Sequence, residues 1–91
     1  LASRFAYGET ITREKLGMVE RAERILNDYG FIQMRVRMHG DNLARIEVAS
    51  DELTRLLSLR EEVVAKFNEI GFTYVTMDLL GYRVGSMNEV L

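Results

Sequence analysis

Between residues 31 and 47 apolar side chains fill every second place. Ile32, Met34, Val36 and Met38 alternate with Gln33, Arg35, Arg37 and His39. After Gly40-Asp41-Asn42 the rhythm resumes, with Ala44, Ile46 and Val48 set against Leu43, Arg45 and Glu47. Strand side chains alternate between faces with a period of two. The pattern predicts a hairpin with one apolar face and one face rich in arginine. A third alternating run, 72–79, places Val75, Met77 and Leu79 on one side and Tyr74, Thr76 and Asp78 on the other.

Helical spacing flanks the strands. Leu16, Val19, Ala22, Leu26 and Tyr29 form one stripe, widened by Met18 and Ile25. Thr12 is a suitable N-cap, Glu14 suits the first turn, and Gly30 is placed to end the helix. Gly17 weakens the first turns slightly. Ser50 is placed to cap a short helix burying Leu53, Leu56 and Leu57. Ser58 and Glu61 have the spacing of a capping box. A second long helix then runs to Ile70 with Val63, Val64, Phe67 and Ile70 inward, and Gly71 closes it. Residues 1–11 show no period apart from a turn at Tyr7-Gly8. Residues 81–91 read as loop.

Asn27-Asp28-Tyr29-Gly30-Phe31 is echoed by Asn68-Glu69-Ile70-Gly71-Phe72. Two similar helix-to-strand corners explain the echo without duplication. They also suggest that both helices lie on one face of the sheet. The predicted fold is α+β: a two-layer domain in the order α-β-β-α-α-β, with about three strands and helices on one face.

The length of 91 residues and 47% hydrophobic content fit one small domain, 1–91. The net charge of −2 argues against a dedicated nucleic-acid binder, so any anion site is local. Ten of the 12 basic residues are Arg, which suits bidentate binding of carboxylate or phosphate. Without cysteine, no disulfide, thiolate metal site or thiol catalysis is available within these residues. No apolar run approaches ~18 residues, so no membrane contact is expected. No signal peptide is visible, and a cytoplasmic location is expected. The chain begins at Leu1 rather than Met, which suggests part of something longer, or a processed product.

The arginine face has several readings. It can be a wet sheet face, with cross-strand pairs such as Arg37 and Glu47. It can be an anion site: Arg35 and Arg37 would stand about 6.5–7 Å apart at ~3.3 Å per residue, close enough for both forks to reach one anion. Glu47 and Asp78 would then hold the forks. It can be an interface with acidic side chains of another domain or subunit. Nucleic acid would want exposed aromatics among the arginines, and only Tyr74 qualifies.

Other chemistry is sparse. His39 is the only histidine, at a strand end, and with Asp41 it offers too few ligands for a metal. Ser3 has no nearby base. Met34, Met38 and Met77 fall on the predicted core face and read as packing. No glycine-rich phosphate loop is present. Alone, these residues form no self-sufficient active site, and no catalytic or metal-ligating residue is assigned.

Three blocks together carry a resemblance. They are Leu1-Ala2-Ser3-Arg4-Phe5-Ala6-Tyr7-Gly8 with Ile11-Thr12; Arg35-Val36-Arg37 with Leu43-Ala44-Arg45-Ile46-Glu47; and Gly81-Tyr82-Arg83 with Gly85-Ser86-Met87-Asn88-Glu89. In this order they resemble the C-terminal part of the ATP-dependent sacrificial sulfur transferases of the LarE type, within the PP-loop, or N-type ATP pyrophosphatase, superfamily. The resemblance runs the length of the chain. It implies an enzyme that adenylylates a carboxylate of a pyridinium dicarboxylate mononucleotide and then installs sulfur, in nickel-pincer cofactor synthesis. Sulfur would come from a protein cysteine or through an iron–sulfur cluster.

The ATP-binding PP-loop would lie in an N-terminal domain, and a donor cysteine just before the segment matching Leu1. Neither is among these residues. The chain by itself is therefore expected to be inactive and to hold no cofactor, with ATP and Mg belonging to the full-length enzyme. By resemblance, Arg35 and Arg37 face the active site and hold phosphate or a substrate carboxylate. Ser3 and Arg4 match residues at the same site. Glu23 and Glu47 fall at acidic positions suited to orienting the arginines. The expected partners are the PP-loop domain, a small anionic substrate and further copies in a homo-oligomer. The alternative is an oligomerisation or interaction module with no ligand of its own.

Overall fold

The computed structural model describes residues 4–6 and 8–83. The elements follow as α1 (Arg13–Asp28), β1 (Met34–His39), β2 (Leu43–Val48), a 3-10 turn (Ser50–Glu52), α2 (Leu53–Ser58), α3 (Arg60–Ile70) and β3 (Tyr74–Met77). This is the α+β order that the periodicities predict. The three strands form one mixed sheet with β2 in the centre. β1 pairs β2 antiparallel, from Met34 opposite Val48 to His39 opposite Leu43. β2 pairs β3 in parallel, from Leu43 beside Tyr74 to Ile46 beside Met77. A parallel partner needs a crossover, and α2 and α3 supply it.

Capping decides where α1 begins and where both long helices stop. The Thr12 hydroxyl accepts from the Lys15 N–H at 3.1 Å. Gly30 takes φ 95° and Gly71 takes φ 130°, left-handed conformations that disfavour a side chain. In each case the following phenylalanine closes the helix. The Phe31 N–H donates to the Leu26 carbonyl, and the Phe72 N–H to the Phe67 carbonyl, each at 3.1 Å. Both phenylalanines are buried. The repeated motif is thus one corner built twice.

The core lies between the helices and the apolar face of the sheet. Met18, Val19, Ala22 and Leu26 of α1 meet Met34, Val36 and Met38 of β1, Ala44, Ile46 and Val48 of β2, and Leu56, Val63 and Phe67 of the later helices. Phe67 and Phe72 stack with centroids 5.7 Å apart. Met77 packs against this cluster from β3.

Several expectations are corrected. β3 is shorter than 72–79: Phe72 is buried before the strand, and Leu79 is 76% exposed beyond it. Ile32 also lies outside β1 and is exposed. Leu57 is 54% exposed, and Val64 also faces out. Leu56 takes the core position on α2 and Val63 that on α3. Ser58 forms no capping box. Its Oγ donates back to the Arg55 carbonyl at 2.6 Å, and α3 has no side-chain cap. Ser50 starts a 3-10 turn without capping it. In the aperiodic N-terminal stretch, Phe5 is buried and bridges Met38 in parallel at the free side of β1.

Candidate functional site

Arg35, Arg37, Arg45 and Glu47 share the sheet face away from the α1 packing, as the alternation requires. That face is not open water. Glu47 is 0% exposed and Arg37 only 3%. Register explains why they meet. Arg37 stands directly opposite Arg45, and Arg35 opposite Glu47. Two arginines face to face repel. Glu47, one position along the same face, lies between them. It accepts from Arg37 Nε at 3.3 Å and from Arg37 Nη2 at 3.2 Å. It also pairs with Arg45 Nη2 at 3.5 Å.

Asp78 extends the network from just past β3. It lies 3.7 Å from Arg45 Nη1 and 3.2 Å from Arg83 Nη1. The alternating chain Arg37–Glu47–Arg45–Asp78–Arg83 therefore holds three guanidinium groups with two carboxylates. Removing ions from water costs several kcal/mol each, so each carboxylate is shared rather than singly paired.

Arg35 is held differently. Its Nη1 donates to the Met34 carbonyl at 2.9 Å. Its guanidinium carbon lies 5.3 Å from the centre of the Tyr82 ring. Among the described residues, no carboxylate pairs with it. Residues 81–83 bring Tyr82 here. The Tyr82 N–H donates to the Val48 carbonyl at 2.7 Å, and the Arg83 carbonyl accepts from Arg37 Nη2 at 3.4 Å.

Arg4 and Glu23 meet at the free side of β1. Arg4 Nε donates to Glu23 Oε2 at 2.9 Å and Arg4 Nη2 to Oε1 at 3.1 Å, a two-point fork. Glu23 Oε2 also accepts the Val36 N–H at 3.0 Å. Val36 lies between Arg35 and Arg37 in sequence. One carboxylate from α1 thus satisfies the edge of β1 and fixes Arg4 there. Ser3 and the residues 85–89 fall outside the described residues.

His39 lies at the end of the same strand, near the turn. Burial and the Arg45 charge push its pKa below 6.5, and Glu9 opposes them. Its Nε2 is buried without a hydrogen-bond partner. The Glu9 carboxylate accepts the Gly40 N–H in the turn at 3.1 Å. Among the described residues, no group of three or more His, Cys, Asp or Glu side chains is placed to hold a metal ion. Among them, too, no helix is long and apolar enough to cross a membrane.

The structure thus pairs Arg37 with Glu47 on the sheet face and Arg4 with Glu23 at the edge of β1, with Arg35 held apart on Tyr82. Sequence reasoning passed over Tyr82 and Arg83 as site residues. They sit in an aperiodic stretch, and only their place in the Gly81-Tyr82-Arg83 block marked them. Chemically, the face offers an excess of guanidinium over carboxylate on the sheet.

No protein-family model matches the chain. Similar proteins are known in three organisms. The chain is 47% identical over 93 residues to an uncharacterized protein of Synechocystis sp., across all of this chain and 34% of that protein. It is 36% identical over 83 residues to an uncharacterized protein of Methanocaldococcus jannaschii, across 91% of this chain and 32% of that protein. It is 41% identical over 91 residues to the pyridinium-3,5-bisthiocarboxylic acid mononucleotide synthase of Lactiplantibacillus plantarum, across 100% of this chain and 33% of that enzyme. The chain spans about a third of the length of each relative.

Proposed function

We propose that this chain is the C-terminal part of an ATP-dependent sulfur transferase of the LarE type, and that its arginine face holds the anionic groups of a pyridinium dicarboxylate mononucleotide. The match over the full chain to a synthase of that thiocarboxylated product supports the reaction class. The observation that carries the anion-holding role is Arg35: its guanidinium is fixed in place and has no carboxylate partner among the described residues. In this reading Arg35 is the principal fork. Arg37, buried against Glu47, sets the sheet geometry beneath it. Arg4 approaches the anion from the free side of β1, with Glu23 orienting it; Ser3 joins them by the resemblance alone. A PP-loop domain elsewhere in the protein binds ATP and Mg and closes the site. The parent is a cytoplasmic homo-oligomer.

Removing Arg35 tests this. Hydrogen bonds to charged groups contribute about 1.5–3 kcal/mol, so Arg35→Ala is expected to weaken binding of the mononucleotide roughly 10- to 100-fold in the intact protein. Its melting temperature should hardly change. Unchanged affinity and turnover would sink the assignment.

A second reading, an interaction module without a ligand, is favoured by one feature. Leu57 and Val64 stand exposed beside Val63, Val75 and Met77, lining a groove of about 130 Å³ next to β3. Light scattering on Leu57→Ser with Val64→Ser distinguishes the two: loss of a multimer with anion binding retained assigns the groove to assembly alone.

A further inference from the structure

We infer that Tyr82 is a positioning residue that aims the Arg35 fork while leaving its charge available. The inference rests on the reading of Arg35 as the anion-holding group, and adds what makes that arginine competent. Arg35 has two tethers, the Met34 carbonyl and the Tyr82 ring. Neither carries a negative charge. A carboxylate in the place of the ring would hold the fork just as well, but would compete with any incoming anion. That is the situation of Arg37 and Arg45, which both pair with Glu47. A ring face attracts the guanidinium through its quadrupole and leaves the in-plane N–H donors pointing outward.

The backbone of residues 81–83 is built to keep the ring there. Gly81 adopts φ +83°, and a Cβ on it would lie 2.8 Å from the Val48 carbonyl oxygen. Only glycine allows the chain to pass so close to β2. The next residue then locks on: the Tyr82 N–H donates to that same carbonyl. Arg83 fastens the far side, through its carbonyl to Arg37 and its guanidinium to Asp78. Tyr82 is thus pinned between two fixed points, directly under Arg35. Among the described residues the phenol hydroxyl has no part in this arrangement, so the ring is what matters.

The test uses inorganic phosphate as probe on the intact protein, with the Arg35 side-chain Nε–H followed by NMR. In the wild type that proton should show an upfield ring-current shift and move on titration. Tyr82→Phe should keep both properties. Tyr82→Leu should lose the ring-current shift and weaken phosphate binding roughly 3- to 10-fold, the scale of one cation–π contact. Tyr82→Leu with wild-type affinity, while Arg35→Ala abolishes binding, overturns the inference and spares the reading of Arg35. Tyr82→Phe as weak as Tyr82→Leu overturns it too, because a hydroxyl and not a ring would then be at work. An Arg35→Ala variant that binds phosphate normally breaks the underlying reading itself. The ring-current shift needs no variant, so its absence in the wild type overturns the inference even where Tyr82→Leu fails to fold.

Discussion

The two faces of this sheet come from the same alternation and are buried by opposite means. On one, Val36, Ile46 and Val48 meet the helices and need nothing but matching shape. On the other, Arg37 and Glu47 are buried just as deeply, yet their polar ends have to be answered with opposite charge and hydrogen bonds. The apolar face tolerates a neighbour of similar size. The charged face tolerates none that removes one partner alone. Burial depth therefore says little about which chemistry holds a surface closed.

Single truncations should cost about the same on either face. Phe67→Ala is expected to remove about 3–5 kcal/mol through the cavity it leaves. Glu47→Ala should remove about 3–5 kcal/mol by stranding Arg37 in the interior. Chemical denaturation measures both. The faces part company on the double change: Arg37→Met with Glu47→Leu is expected to recover most of the loss, since an apolar pair of similar volume often replaces a buried ion pair without penalty. If the double variant were no better than Glu47→Ala, the charged face would depend on more than this pair.

Gly81→Ala probes the cover of the charged face alone. A positive φ in a residue with a side chain costs about 1–3 kcal/mol, and the 2.8 Å approach to the Val48 oxygen adds to it. Hydrogen exchange should rise at Tyr82 and stay flat in α1. Equal loosening of both faces would show that residues 81–83 belong to the common core.

The smallest effect concerns His39. Its folded-state pKa lies below the unfolded value near 6.5, so the unfolded chain takes up the proton first. The neutral ring's contribution is fully present above pH 6.5 and is lost as pH falls from there through the folded pKa. Denaturation midpoints at pH 7.5 and 5.5 should differ slightly, and His39→Gln should shrink the difference. An unchanged difference would place the titrating group elsewhere.

Much of the fold was legible because its signals are local. The hairpin turn at Gly40 and the two glycine–phenylalanine corners each rest on a few neighbouring residues, and the structure contains them as read. The errors lie where context decides. Leu57 and Val64 fit a helical stripe, but their neighbours Leu56 and Val63 take the core places and leave them exposed. The site was legible by face and not by environment. Alternation put Arg35, Arg37 and Glu47 on one side, but could not tell that Arg37 and Glu47 are sealed while Arg35 rests on a ring. That distinction comes from Tyr82, far along the chain from Arg35 and with no periodicity to announce it, much as Arg83 reaches Arg37 from 46 residues away.

The central place of β2 has a consequence for the order of assembly. Its antiparallel partner arrives across a three-residue turn, whereas its parallel partner must return from far away: Thr76 and Ala44, joined by a hydrogen bond, are 32 residues apart. Loop-closure entropy grows by about 0.6 kcal/mol for each doubling of length, so the second pairing starts roughly 2 kcal/mol behind the first. The hairpin is then the template, and β3 is the late arrival. Until it docks, one side of β2 stands bare, along the same strand that carries Arg45 and Glu47.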